Sequence, residues 1–289
     1  PDMASGKEIT GKIQSLGNTM KVTSALEMVS ASKIRKSQDL MSASRPYIRM
    51  MRRISGHLSK ANPEIRHAFT VEYENVEKVG YIVVSTDRGL CGGLNNNLFR
   101  MALADMLEWQ GKGVDVSLVT FGKKASSFFK NVNVEIMGHV SGLGETPQIE
   151  DLIGAVRIML EAYRDNGIQR LYIVANEFIN TMTQKPTIVQ MLPLPPTDDE
   201  EIRDIWDYIY EPDAQSLLDA VSVRYIEGLI YHAVLENLAS EHAARMLAMK
   251  NATDNASDLL DELKLVYNKA RQAAITQEIS EIVGGAAAV

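Results

Sequence analysis

The sequence predicts an α/β domain inserted between two long helices that pair as an antiparallel coiled coil. Three observations lead there. Strands and helices alternate only in the middle of the chain. A nearly proline-free apolar stripe of about seventy residues fills its end, and a shorter heptad-like stripe fills its start. The boundaries fall at residues 1–60, 61–211 and 212–289.

The first zone reads as helix. Ser5 and Glu8 stand at capping-box spacing, where each satisfies an orphan N–H at a helix start. Ile9, Ile13, Leu16 and Met20 follow at alternating spacings of four and three, a coiled-coil seam. The apolar residues then shift to Val22, Leu26 and Val29, and resume as Ile48, Met51, Ile54 and Leu58. Pro46 predicts a kink or a restart, with Ser44 as the new cap.

The middle zone has another grammar. Residues 79–85 are short, apolar and β-branched, hence a buried strand. A helix over 94–110, a strand over 114–120, a short helix over 123–130 and a strand over 132–137 follow. A helix over 149–165 and a strand over 171–175 complete the alternation, which implies a mainly parallel, doubly wound (Rossmann-like) sheet. Residues 187–191 and 205–210 are candidate edge strands, separated by a proline-rich, acidic loop.

From Pro212 to about Val283 the pattern is one helix, interrupted only by Gly228. Its apolar markers include Leu217, Val221, Tyr225, Leu235, Leu238, Leu259, Leu263, Val266, Ala270, Ala274, Ile279 and Ile282, with a weak patch at Thr253-Asp254-Asn255. At roughly 1.5 Å per residue, such a helix reaches on the order of 100 Å. No core this chain can build buries a stripe of that length. Another long helix is needed beside it, and the first zone supplies the only candidate.

Composition excludes several functions. One cysteine, Cys91, cannot form an internal disulfide, which fits a reducing compartment. The five histidines and Cys91 show no metal-ligand spacing, so no metal is expected. No apolar run is long enough to span a bilayer. The net charge of −7 hides a basic start, for residues 1–60 hold eleven Lys/Arg against four Asp/Glu. Such a helix faces nucleic acid, anionic lipid, an acidic protein surface or simply solvent.

The segment Ser85-Thr86-Asp87-Arg88-Gly89-Leu90-Cys91-Gly92-Gly93-Leu94 follows a strand and opens a helix, where doubly wound proteins bind phosphate. It lacks both G-x-G-x-x-G and the lysine of a P-loop. The glycines serve a tight turn equally well. Asp87 and Arg88 stand ready to form a local ion pair, and Cys91 has no recognisable base beside it. The alternative reading of the chain is therefore a nucleotide-binding protein with helical arms. A coiled coil bound to nucleic acid through its basic helix is a third. The uncharged end, Ile282-Val283-Gly284-Gly285-Ala286-Ala287-Ala288-Val289, is expected to form a slender apolar tip for a non-polar socket.

Three segments carry a resemblance to a known family. They are residues 18–33 (NTMKVTSALEMVSASK), 85–95 (STDRGLCGGLN) and 275–288 (ITQEISEIVGGAAA). In order and spacing they resemble the gamma subunits of bacterial F-type ATP synthases, along essentially the whole chain. Met20 and Leu26 depart from the residues common there. The resemblance implies a non-catalytic rotor shaft, without cofactor, that couples proton-driven c-ring rotation to ATP synthesis in the beta subunits. It implies as partners the alpha-beta hexamer, an epsilon subunit and the c-ring. It also implies a peripheral location on the cytoplasmic face of the inner membrane. By the same resemblance Arg271 and Gln272 match a catch on a beta loop. Tyr208, Tyr210 and Glu211 match the foot on the c-ring. The basic helix, with Lys33, Arg35 and Lys36, would face an acidic beta loop.

Overall fold

The computed structural model describes residues 6–61, 68–194 and 214–286. They contain helix α1 (Gly6–Ala61), strand β1 (Lys78–Val84), α2 (Leu94–Gly111), β2 (Asp115–Phe121), α3 (Lys123–Phe129) and β3 (Glu135–Val140). Then come α4 (Glu150–Arg164), β4 (Arg170–Asn180), β5 (Thr183–Leu192) and α5 (Ala214–Ala286). The chain divides into two compact units. One joins residues Pro1–Ser30 to Arg245–Val289, and the other is Ala31–Ala244.

The first unit is a two-helix pair. Thr23 Oγ1 of α1 meets Thr253 Oγ1 of α5 at 2.7 Å. Six residues earlier, Gly17 lies against Leu260. The partner number falls as the α1 number rises, so the helices run antiparallel. On α5 the inward positions are Met249, Thr253, Ala256, Leu260, Leu263, Tyr267 and Ala270, a strict alternation of four and three. Thr253, which reads as a weak patch in the sequence, is thus a seam residue. Leu259 and Val266, one residue off that register, are each 50% exposed.

The α1 seam departs from the expected one in the same way. Val22 and Val29 are 59% and 48% exposed, whereas Thr23 and Ser30 are buried. The heptad keeps its phase instead of shifting to the next apolar residue. Each hydroxyl tolerates burial by bonding its own helix: Thr23 donates to the Met20 carbonyl at 3.1 Å and Ser30 to Leu26 at 2.8 Å.

The second unit is built on a five-stranded sheet of order β3-β2-β1-β4-β5. β1 pairs in parallel with β2 and β4, and β2 with β3, while β5 runs antiparallel to β4. Alternation along β1 sends Val79, Tyr81 and Val83 to a core with Leu98, Phe99 and Met106 of α2 and Phe129 of α3. Ile82 and Val84 face the other way, toward Leu152, Val156 and Met159 of α4 and Ile226, Ile230 and Val234 of α5. Both faces are therefore covered, as the doubly wound reading requires. β3 starts later than its apolar run suggests. β4 outlasts β1, and its last residues pair only with β5. The expected strand over 205–210 and the Ser5 cap lie outside the described residues.

In this unit α1 continues its pattern with Ile34, Ser37 and Met41 buried. Ser37 bonds the Lys33 carbonyl at 3.1 Å. Pro46 lies inside the helix and starts no new one. Ser44 is not a cap: its hydroxyl donates back to the Met41 carbonyl at 2.8 Å and meets His232 Nδ1 of α5 at 2.7 Å. Packing on both sides of the proline outweighs the single backbone bond it removes. One turn on, a Cβ at Gly228 would stand 3.2 Å from the Tyr47 ring, so α1 approaches the α5 backbone closely there.

Candidate functional site

The strand-end loop is a closed knot. Asp87 Oδ1 accepts the Lys123 N–H at 3.0 Å, and Oδ2 accepts the Gly142 N–H at 2.8 Å. Its carboxylate thus ties the turn after β1 to the turns after β2 and β3. Ser85 donates to the Phe121 carbonyl at 3.0 Å and accepts from Ala125 at 2.9 Å. Asn95 accepts the Thr86 N–H at 3.2 Å and donates to the Thr86 hydroxyl at 2.8 Å and to the Cys91 sulfur at 3.4 Å. Gly122, at φ +94°, leaves no room for a side chain, because a Cβ would meet the Ser85 carbonyl oxygen at 2.4 Å.

At the carboxyl ends of parallel strands, backbone N–H groups usually await an anion. Here the chain's own carboxylate takes two of them. The expected Asp87–Arg88 ion pair is accordingly replaced by backbone bonds to Asp87. Cys91 is a buried thiol whose sulfur accepts from an amide, an arrangement that stabilises the turn and activates no nucleophile.

The basic positions of α1 divide. Arg35 and Lys36 are exposed, but Lys33 pairs with Glu145 in the loop before α4. The Lys33 ammonium holds the Glu145 carboxyl below its ordinary range, with smaller help from His242 and Lys36. Glu145 escapes sequence reading, since a lone carboxylate in a glycine-rich loop carries no motif. Arg271 and Gln272 sit side by side on α5, both exposed, in a stretch that is exposed throughout from 271 to 286. Tyr208, Tyr210 and Glu211 lie outside the described residues. No group of His, Cys, Asp and Glu among the described residues is arranged to hold a metal.

Comparison with known proteins addresses the whole chain. The family model described as ATP synthase matches residues 5–289. The ATP synthase gamma chain of Stenotrophomonas maltophilia (strain R551-3) is 59% identical over 287 residues, covering 99% of this chain and 100% of the relative. That of Xylella fastidiosa (strain M12) is also 59% identical over the same coverage. Among solved structures, a chain of the Euglena gracilis mitochondrial ATP synthase (OSCP/F1/c-ring, rotational state 3) superposes with a TM-score of 0.64 at 20% identity, over 98% of this chain and 94% of that one. A chain of the Tetrahymena thermophila mitochondrial enzyme (central stalk/c-ring) gives a TM-score of 0.60 at 18% identity, over 80% of this chain and 99% of that one. Those two likenesses, at 18% and 20% identity, bear on the fold alone. With a family model spanning nearly all residues and relatives matched end to end, this chain belongs to the family of ATP synthase gamma chains.

Proposed function

We propose that the chain is the central rotor shaft of a bacterial F-type ATP synthase and carries no catalytic site of its own. Residues 1–60 and 212–289 form the coiled-coil shaft, and 61–211 the foot. The observation that carries this reading is the end of α5, where helix continues from 271 to 286 with every residue exposed. Ile275, Ile279, Ile282 and Val283 are 48–65% exposed there. An unsupported helix with an apolar surface loses its stabilising contacts in water. A surrounding ring of alpha and beta subunits supplies them.

Arg271 and Gln272 then act as the catch on a beta loop through charge-assisted and amide hydrogen bonds. Lys33, Arg35 and Lys36 face an acidic beta loop. Tyr208, Tyr210 and Glu211 rest on the c-ring beside an epsilon subunit, where tyrosines combine apolar area with a hydroxyl. The chain works at the cytoplasmic face of the inner membrane as a peripheral subunit. Among its described helices none is long and apolar enough to cross the membrane. A charge crossing about 100 mV yields about 2.3 kcal/mol. Several protons per ATP therefore send work comparable to a domain's stability of roughly 5–15 kcal/mol through this subunit.

Co-purification tests the reading. A tagged chain should bring down alpha and beta subunits with ATPase activity, and a Tyr208→Cys variant should crosslink to a c-ring loop. Failure of both overturns it. The rival nucleotide-binding reading predicts micromolar ATP or ADP affinity of the isolated chain at residues 89–93. The Asp87 carboxylate, bonded where a phosphate would lie, opposes it.

A further inference from the structure

In the second unit α5 seats directly on the sheet, for Ile226, Ile230 and Val234 belong to one of its two cores. Helix α1 does not: among the described residues, neither core holds a side chain from Gly6–Ala61. It lies on α5, at Gly228 and His232. Ser37, buried on α1, gives its one proton to the Lys33 carbonyl of the same helix. A second fastening comes from residues 141–149, the segment between β3 and α4. The Gly142 N–H donates to Asp87 Oδ2, in the turn after β1, at 2.8 Å. Glu145 accepts from the Lys33 ammonium of α1. Tyr231 of α5 donates to the Pro147 carbonyl at 3.0 Å. The Gln148 N–H donates to Asp151 Oδ2 of α4 at 2.9 Å. Leu143 packs on the core that also seats α5. One short segment is thus tied to the sheet, to α4 and to both long helices.

The charges around Glu145 favour this seat. The Lys33 ammonium holds its carboxyl below the ordinary range against the opposing effect of burial, and His242 of α5 and Lys36 of α1 add to it. Burial, followed by Glu150, pushes the Tyr231 hydroxyl up, which keeps it protonated as a donor. A partly exposed ion pair by itself is weak. Here the backbone on either side of Glu145 is already held, by Asp87 at one end and Tyr231 at the other, so meeting Lys33 requires little further ordering. We propose that residues 141–149 are a strap that holds α1 to the α/β domain, with Glu145 as its point of attachment. The bulk of the fold stands without it, since α5 keeps its place by apolar packing. The position of α1 depends on it. The mechanical role rests on the rotor reading: the strap makes the domain and both helices turn as one body.

Distances between spin labels in the full-length chain test the strap. One pair joins Ser32→Cys of α1 to Ser127→Cys of α3, and a control pair joins Ala220→Cys of α5 to Ser127→Cys. All three positions are exposed, and Cys91 is buried. Glu145→Gln and Tyr231→Phe should each broaden the α1 distance distribution about twofold and leave the α5 control as in the wild type. Glu145→Lys should broaden it as well, and adding Lys33→Glu should narrow it again, a rescue that a general loss of stability does not give. An unchanged α1 distribution in Glu145→Gln overturns the proposal, and so does equal broadening of both pairs. In the assembled enzyme, Glu145→Gln should lower the protons pumped per ATP hydrolysed while the yield of complex stays the same. Unchanged pumping beside a broadened α1 distribution overturns the mechanical role. Failure of the wild-type chain to assemble counts against the rotor reading and leaves the distance result standing.

Discussion

Asp87 replaces a ligand with a piece of the chain. Both of its oxygens hold backbone N–H groups from other turns, at 3.0 and 2.8 Å. Asp87→Ala should therefore cost about 1–3 kcal/mol in urea unfolding, because two donors lose a charged acceptor. Gly122→Ala should cost about 3 kcal/mol or more, since it combines a left-handed backbone with a collision at 2.4 Å. Lys33 and Glu145 make a weaker contact. The carboxyl is held below its ordinary 4.5, so the pair's contribution is present above that pH and is lost as pH falls through the depressed value. Both side chains are partly exposed, which limits the contribution to under about 1 kcal/mol. Lys33→Gln should lose no more than this, and the difference should vanish in high salt or in acid. The motif at 85–95 is legible as a strand-to-helix turn, but its role is not. Asp87 meets Lys123 and Gly142, which are remote in sequence, and only the winding of three parallel strands brings their turns together.

The helix seam teaches the corresponding lesson for elements. Thr23, Ser30, Ser37 and Ser44 recur every seven residues of α1, and the first three are buried. A search for apolar residues passes over them and selects Val22 and Val29. The heptad phase set by Ile9, Ile13, Leu16 and Met20 was the better guide, because a straight pair of helices cannot change face within one turn. Ser37→Leu should overpack the seam and cost about 1–3 kcal/mol by thermal unfolding. Val22→Ser should stay within about 0.5 kcal/mol in the isolated chain. Equal losses for the two would show the seam wrongly placed. Pro46 follows the same logic: a local helix breaker is overridden where both flanking turns are packed.

For the whole molecule, helices α1 and α5 each contribute residues to both compact units. On the rotor reading, stiffness of these helices is the functional property. Replacing Ala31 and Ser32, both exposed, by glycines costs about 1–2 kcal/mol of helix propensity and introduces a hinge. ATP synthesis in the reconstituted enzyme should then fall several-fold more than the yield of assembled complex, and equal losses would count against a mechanical role.

Local patterns determined the class of the protein: short β-branched apolar runs for a buried sheet and a period near 3.5 for a pair of long helices, while three ordered segments carried the resemblance to the family. These signals are local, and a chain expresses them wherever it folds. The tertiary structure decided which residues of each helix face inward, that Asp87 closes an anion cradle, that Lys33 has an internal partner, and that Ser44 and His232 meet. Each of those contacts joins residues far apart in sequence, so its geometry exists only after packing has chosen which turns and helix faces stand opposite one another.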